Sequence, residues 1–293
     1  MNPVVRDLLW QWQWRPEVIL VLGALGVAYT LGWRRLRRRG HARLAQGWRL
    51  AAYLGGLATV ALALLSPIDA LVAWLFSVHM VQHLLLTMVA APLLMLANPL
   101  PFIVWGLPAD LRQAAQWALA RQGLVRRFLR FVGPPWIALA LATLTLWAWH
   151  LPAAYDGALR KDLLHDLEHL TFFWTALLFW WGITGAAPHV RPPTSYGLRI
   201  VFVLLGLAQN EALGVLITLA RQPLYPFYTE VPRLWGLAVL DDQALAGAIM
   251  WVPAGMMYVV AALALIARLI DQDEKRAARE DEANLRALGG LPT

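Results

Sequence analysis

The 293-residue sequence contains no cysteine. Disulfides, thiolate metal sites and thiol nucleophiles are therefore excluded, and a soft metal would have to be held by histidine or methionine. Charge is scarce as well. Asp, Glu, Lys and Arg make up 15% of the chain, where a soluble domain carries about 25%. The deficit is uneven: long apolar runs alternate with short Arg-rich segments. With 59% hydrophobic residues and a mean hydropathy of +0.53, the pattern is that of a polytopic membrane protein in a bilayer. The net charge of +7 suggests a nucleic-acid partner at first sight, but the arginine placement explains it as membrane topology, and no nucleic acid is expected.

The main basic cluster, "RRLRRRG" (34–40), follows the first apolar run instead of preceding it. That run is therefore expected to remain as a span and not to be removed as a signal peptide. The expected fold class is all-α, a polytopic membrane helix bundle with seven transmembrane helices near 17–33, 49–66, 71–97, 133–150, 163–185, 197–220 and 243–270. The stretch 110–130, with apolar and basic residues at helical spacing, is expected to lie on the membrane surface. Residues 1–270 form the transmembrane domain, and 271–293 form a charged cytoplasmic tail that ends in a Gly-Gly-Leu-Pro breaker.

Placing the N-terminus outside puts 19 of the 25 Lys and Arg on the cytoplasmic side and six outside. The positive-inside rule thus favours an outer N-terminus and a cytoplasmic C-terminus in a bacterial cytoplasmic membrane. Trp10, Trp12 and Trp14 then form an outer interfacial belt.

Seven histidines fall on this topology. His41 and His189 lie in cytoplasmic loops. The other five share the outer half of the membrane. His79 and His83 are roughly 12–18 Å along the third span, His150 ends the fourth, and His165 and His169 begin the fifth. The two pairs are each spaced i, i+4, which puts both rings on one helix face. Two imidazoles so placed can share a metal ion. An interhelical hydrogen bond explains a single membrane histidine well, but not two pairs and a fifth ring at one depth.

Met80 and Met250 are further candidate ligands, although Met80, Met250, Met256 and Met257 have plain packing as an alternative. Gln82, Glu168, Asp241 and Gln243 are expected to stand behind the ligands and orient ring nitrogens. Asn210 and Glu211 lie near mid-membrane, and Asp69, Asp156 and Asp241 border spans. Histidine with methionine suits copper; histidine with carboxylate would equally suit zinc or iron. Spacing alone leaves the metal open.

Three blocks then carry a resemblance: "SPIDALVAWLFSVHMVQHLLLTMVAAPLLMLANP" (66–99), "WAWHLPAAYDGALRKDLLHDLEHLTFFWTALLFWW" (147–181) and "YPFYTEVPRLWGLAVLDDQALAGAIMWVPAG" (225–255). In this order they resemble the CtaG-type cytochrome c oxidase assembly factors, a polytopic bacterial family. The resemblance implies a non-enzymatic role in maturing a haem–copper oxidase, through delivery or insertion of copper beside the haem. It makes the oxidase subunits the expected partners, with a copper donor protein on the outer face.

Two other readings compete. "HDLEH" (165–169) fits the inverted zinc-protease pattern, with Glu168 as general base and His150 or Glu211 as a third ligand, but it leaves His79 and His83 without a role. A bis-histidine haem carrier would use facing histidines such as His83 and His169, but Leu170, Phe172, Phe173 and Trp174 crowd that place.

Overall fold

The computed structural model describes residues 10–120 and 123–289, with side chains to 284. The last residues of the Gly-Gly-Leu-Pro breaker lie outside the described residues. Every described regular element is helical. In chain order these are α1 (Pro16–Arg38), α2 (Gly47–Leu65), α3 (Pro67–Leu71), α4 (Phe76–Leu96), α5 (Pro99–Gly106), α6 (Ala109–Ala118) and α7 (Leu124–Val132). They continue with α8 (Pro135–Trp149), α9 (Pro152–Arg160), α10 (Asp162–Thr184), α11 (Tyr196–Leu219), α12 (Phe227–Glu230) and α13 (Val239–Gly289).

The ends of these helices follow local chemistry. Proline opens α1, α3, α5, α8 and α9, where its missing N–H costs nothing. Ser66 and Ser195 cap α3 and α11 through Ile68 N and Leu198 N. Gly185, at φ +68°, ends α10 in the left-handed conformation that glycine tolerates.

Among the described residues, five helices are long and apolar enough to cross a membrane: Pro16–Arg38, Gly47–Leu71, Phe76–Leu96, Tyr196–Leu219 and Val239–Asn284. A sixth arises if α7 and α8, bent by 74°, act as one span. Alone, the 15 residues of α8 rise about 22 Å, short of a hydrocarbon core of about 30 Å. The expected span 163–185 corresponds to α10, 23 residues long. Its His, Glu, Thr and Trp content lowers its apolarity.

Two expectations change in detail. The third span does not start at 71. The chain breaks after α3, and α4 starts at Phe76, because Asp242 caps it there (below). The surface stretch 110–130 is two helices, α6 and α7, and not one. Gly123 follows the break in close approach to the Ala118 carbonyl, a place no side chain could occupy. Its second half, α7, exposes Leu124, Phe128 and Phe131 beside Arg126, Arg127 and Arg130, the amphipathic character expected of a surface helix. The charged stretch from 271 is helical, as its composition suggests, and continues α13 without a break.

The bundle has two chemically distinct ends. At one, Arg35 donates to the carbonyls of Trp105, Gly106 and Leu107, Arg126 to His189 O, and Arg191 to Arg130 O. The arginine-rich segments thus meet one another. At the other end, Arg15 pairs with Asp166, Arg160 with Glu230, and Tyr225 with His150 O. Trp10 and Trp14 are exposed there, at 78% and 82%, and their rings are free to lie at an interface. Between the ends, α11 and α13 pack tightly. A Cβ on Gly247 would run into the Gly214 carbonyl and Thr218, the close backbone approach that small residues permit in membranes.

Candidate metal centre

The centre forms at the end of the bundle away from the arginine-rich segments, where α4 meets α10. The starting point is how α4 is held. Its first N–H groups have no partner within the helix. A carboxylate from 166 positions away supplies one. Asp242, on the first turn of α13, accepts from Phe76 N at 2.9 Å, and from Ser77 N at 3.0 Å and Ser77 Oγ at 2.6 Å. An anion at a helix N-terminus is favourable, and Arg233 at 3.1 Å balances the buried charge. Arg233 also donates to Tyr228 O and Leu237 O, so one cluster ties the 221–238 loop to the helix that carries the first histidine pair.

Starting at Phe76 places His79 and His83 about 4.5 and 10.5 Å along α4, at 1.5 Å per residue. They are shallower than a span beginning at 71 implied. After His83 the helix widens into a π-turn over Leu85–Ala90, a deviation frequent at functional sites. Trp180 from α10 donates to the Thr87 carbonyl at 2.9 Å, which locks the widened turn to the second histidine helix.

Four rings then converge. Centroid distances are 4.3 Å for His79–His83, 4.2 Å for His165–His169, 5.1 Å for His79–His165 and 5.4 Å for His83–His169. His79, His83 and His169 are buried and His165 half-buried. Glu168, fully buried, lies between the pairs: its oxygens are 3.8 Å from His79 Nε2 and 3.7 Å from His83 Nε2.

Several of these atoms have no hydrogen-bond partner in the protein. They are both ring nitrogens of His83, His169 Nε2 and both Glu168 oxygens. Buried polar atoms are nearly always paired, and five of the unpaired ones gather around this one point, where a ligand could reach them. Three sets each bring their ligand atoms within 4.8 Å of one another: His79/His83/His169, His79/His165/Glu168 and Asp69/His165/His169. Ligands about 2.1 Å from an ion stand at most about 4.2 Å apart, so small side-chain rotations close each set. Neutral imidazoles and a carboxylate therefore fit a metal ion here.

The remaining expected site residues fall as follows. His150 is buried beside the cluster, 6.1 Å from the Tyr155 ring, and its Nδ1 donates to Leu146 O while Nε2 is unpartnered. Met80 and Met250 are buried and, with His83 and His150, wall a cavity of about 70 Å³ that also touches Asn210 and Gln209. Met256 is exposed. Gln82 does not bond a histidine; it donates to Ala63 O and to Asp69 Oδ1, each at 2.8 Å. Gln243 spans Leu224 N and Gln222 O and so fastens the 221–238 loop. Asp241 is exposed on the first turn of α13, so the adjacent Asp242 is the residue that acts on α4. Glu211 packs against Gly255, outside all three ligand sets. His41 and His189 are exposed, away from the cluster.

Sequence reasoning missed Asp242, Tyr155 and Tyr228. Tyr155 OH lies 2.5 Å from His79 Nδ1, and 3.4 Å from Tyr228 OH, which donates to Val72 O. "AAYDGALR" and "YPFYTE" give no periodic signal that two tyrosines would reach the same imidazole. Asp156, on α9 outside the spans, is pushed above the usual carboxyl range by burial, against the opposing pull of the Phe227 N–H and Arg160.

Comparison with known families bears on this centre. The family described as cytochrome c oxidase caa3 assembly factor matches residues 27–272, and the chain belongs to that family. Among curated proteins it is similar to uncharacterized proteins of Mycobacterium bovis and Mycobacterium tuberculosis. Each is 27% identical over 290 residues, covering 95% of this chain and 42% of the relative. A Mycobacterium leprae protein is 26% identical over 287 residues, covering 92% and 41%. The chain thus spans less than half the length of these relatives. No solved structure matches.

Proposed function

We propose that this protein is a non-enzymatic assembly factor for a haem–copper oxidase and that its cargo is Cu(I), held by His79, His83 and His169. In this reading all seven expected spans cross a bacterial cytoplasmic membrane. The histidine end faces outward and receives copper from a donor protein, and the oxidase subunits are the clients. Family membership and the arginine-poor position of the cluster support it.

The observation that carries the reading is the set of unpartnered buried atoms of His83, His169 and Glu168. A ring that served packing would have its nitrogens hydrogen-bonded, as His79 is to Tyr155 and His165, which neither nitrogen of His83 is. Imidazole ligation accepts copper among the borderline metals, and the buried thioethers of Met80 and Met250 nearby add a soft donor type. Glu168 lies between His79 and His83, and once ionised beside a bound cation it would balance a monovalent ion; a divalent ion would leave net charge in the low-dielectric interior, at a cost.

The alternatives fit less well. Four rings with centroid separations of 4.2–6.0 Å leave no slot for a macrocycle. The adjoining cavity of about 70 Å³ is well below the roughly 300 Å³ and more of organic-ligand sites. A protease reading of "HDLEH" uses Glu168 as a base beside a bound water, but Glu168 is itself enclosed by two more histidines.

The test is in cells grown at low copper. His79→Ala/His83→Ala/His169→Ala should leave the protein in the membrane at wild-type level and abolish oxidase activity, with activity returning on copper supplementation. Full oxidase activity in that variant at low copper would contradict the proposal.

A further inference from the structure

The three ligand sets overlap. Asp69/His165/His169 and His79/His165/Glu168 share His165; the latter shares His79 with His79/His83/His169, and His169 belongs to both the first and the third. Burial rises along the series. Asp69 and His165 are half-buried, whereas His79, His83, His169 and Glu168 are buried. His83 then forms part of the wall of the cavity that contains Met80, His150 and Met250.

We infer that these sets form a loading relay for the cargo ion, with Asp69 as its receiving ligand. This inference rests on the copper reading above. An ion bound through shared ligands moves by exchanging one ligand at a time, so it is never bare in the apolar interior, where desolvated charge is most costly. The outer set provides a carboxylate where the ion still sheds water, and the inner set offers only neutral imidazoles, with Glu168 alongside.

Asp69 is prepared for this task. Ser66 caps the short helix α3 on which Asp69 sits. Gln82, from the same helix as His79 and His83, donates to Asp69 Oδ1 at 2.8 Å and to Ala63 O at 2.8 Å. That clamp presents the carboxylate to His165 and His169 without closing it off, and explains why Gln82 is buried in α4 without touching a histidine. Next to it, Arg15 is neutralised by a two-pronged pair to Asp166 at 2.7 and 2.8 Å, so the cation nearest this side of the cluster is not left to repel the cargo.

The relay separates rate from affinity. Full-length protein in lipid nanodiscs is mixed anaerobically with Cu(I)–bicinchoninate, and both the rate of chelator bleaching and the final occupancy are read. Asp69→Asn keeps the oxygen that Gln82 binds and removes the charge. It should load at least about tenfold more slowly than wild type while reaching an equilibrium affinity within about threefold, and Asp69→Glu should recover most of the rate. His169→Ala, in contrast, should lower the affinity itself. Loading of Asp69→Asn at the wild-type rate would overturn the relay, as would an affinity loss equal to that of His169→Ala, since Asp69 would then be a permanent ligand. Wild-type protein that takes no copper from the chelator would instead refute the copper reading, and the relay with it.

Discussion

His79 and His83 on α4 are both buried, at 0% and 6% exposure, whereas on α10 His169 is buried at 5% and His165 only half-buried. The spacing is the same in the two pairs; the surroundings are not. α4 is covered on all sides near its start: Asp242 from α13 caps it, and Tyr155 and Tyr228 reach His79. α10 begins at the rim of the bundle, where Leu163 and Leu170 are 81% and 53% exposed and Arg15 grips Asp166. An i, i+4 repeat therefore aligns two rings but does not assign them equal roles. The α4 pair is the fixed floor of the centre, and the α10 pair joins that floor to the surface.

The largest effect expected from this asymmetry is on copper retention. His79→Ala/His169→Ala removes two of the three inner ligands and should weaken Cu(I) binding by more than about 100-fold, beyond what loss of a supporting residue costs. Among single variants, His83→Ala should cost more affinity than His165→Ala. Equal losses in a chelator-competition titration would break the comparison between the pairs.

A second effect concerns folding of the α4 side alone. Asp242→Ala removes a charged cap and strands Arg233, a loss of about 1.5–3 kcal/mol for hydrogen bonds to charged groups. Unfolding in mixed micelles should report it, and hydrogen exchange should rise at residues 76–80 while 165–169 stay protected. Uniform loss of protection over both pairs would show that Asp242 supports the bundle generally and not α4 in particular.

Smaller still is the effect of Tyr155→Phe. When copper occupies His79 Nε2, the proton must sit on Nδ1 and donate to Tyr155 OH, so its removal frees the ring to turn. Cu(I) affinity should fall about tenfold, at the mild end for a ligand's supporting partner, with expression unchanged. Asp241→Asn should be silent, within twofold in affinity, because Asp241 is exposed while its neighbour does the capping. A clear loss there would move the anchor of α4 away from Asp242.

Much of this was legible from the residues. Apolar runs located the long helices, and the paired histidines with Glu168 pointed to the side-chain cluster that the structure brings together, because ionisable groups in apolar helices stand out against Leu and Val. Long-range partners were not legible. Nothing local distinguishes Asp241 from Asp242, and which one turns inward depends on where α13 starts relative to α4. Gln82 shows the same limit. It lies one residue before His83, yet helical geometry points it about 100° away, toward Asp69. The break between α3 and α4 was also hidden, since "LVAWL" is apolar throughout and the cap that ends the run comes from another helix.

The central claim is that imidazoles of both pairs hold one copper ion. X-ray absorption at the copper edge tests it most directly, on full-length protein loaded with Cu(I) and freed of excess chelator. The account predicts a single retained ion per chain with about three nitrogen or oxygen neighbours and the outer-shell scattering of histidine rings, lost in His79→Ala/His169→Ala. Protein that retains no copper, or an ion whose neighbours are sulfur from Met80 and Met250, would contradict it.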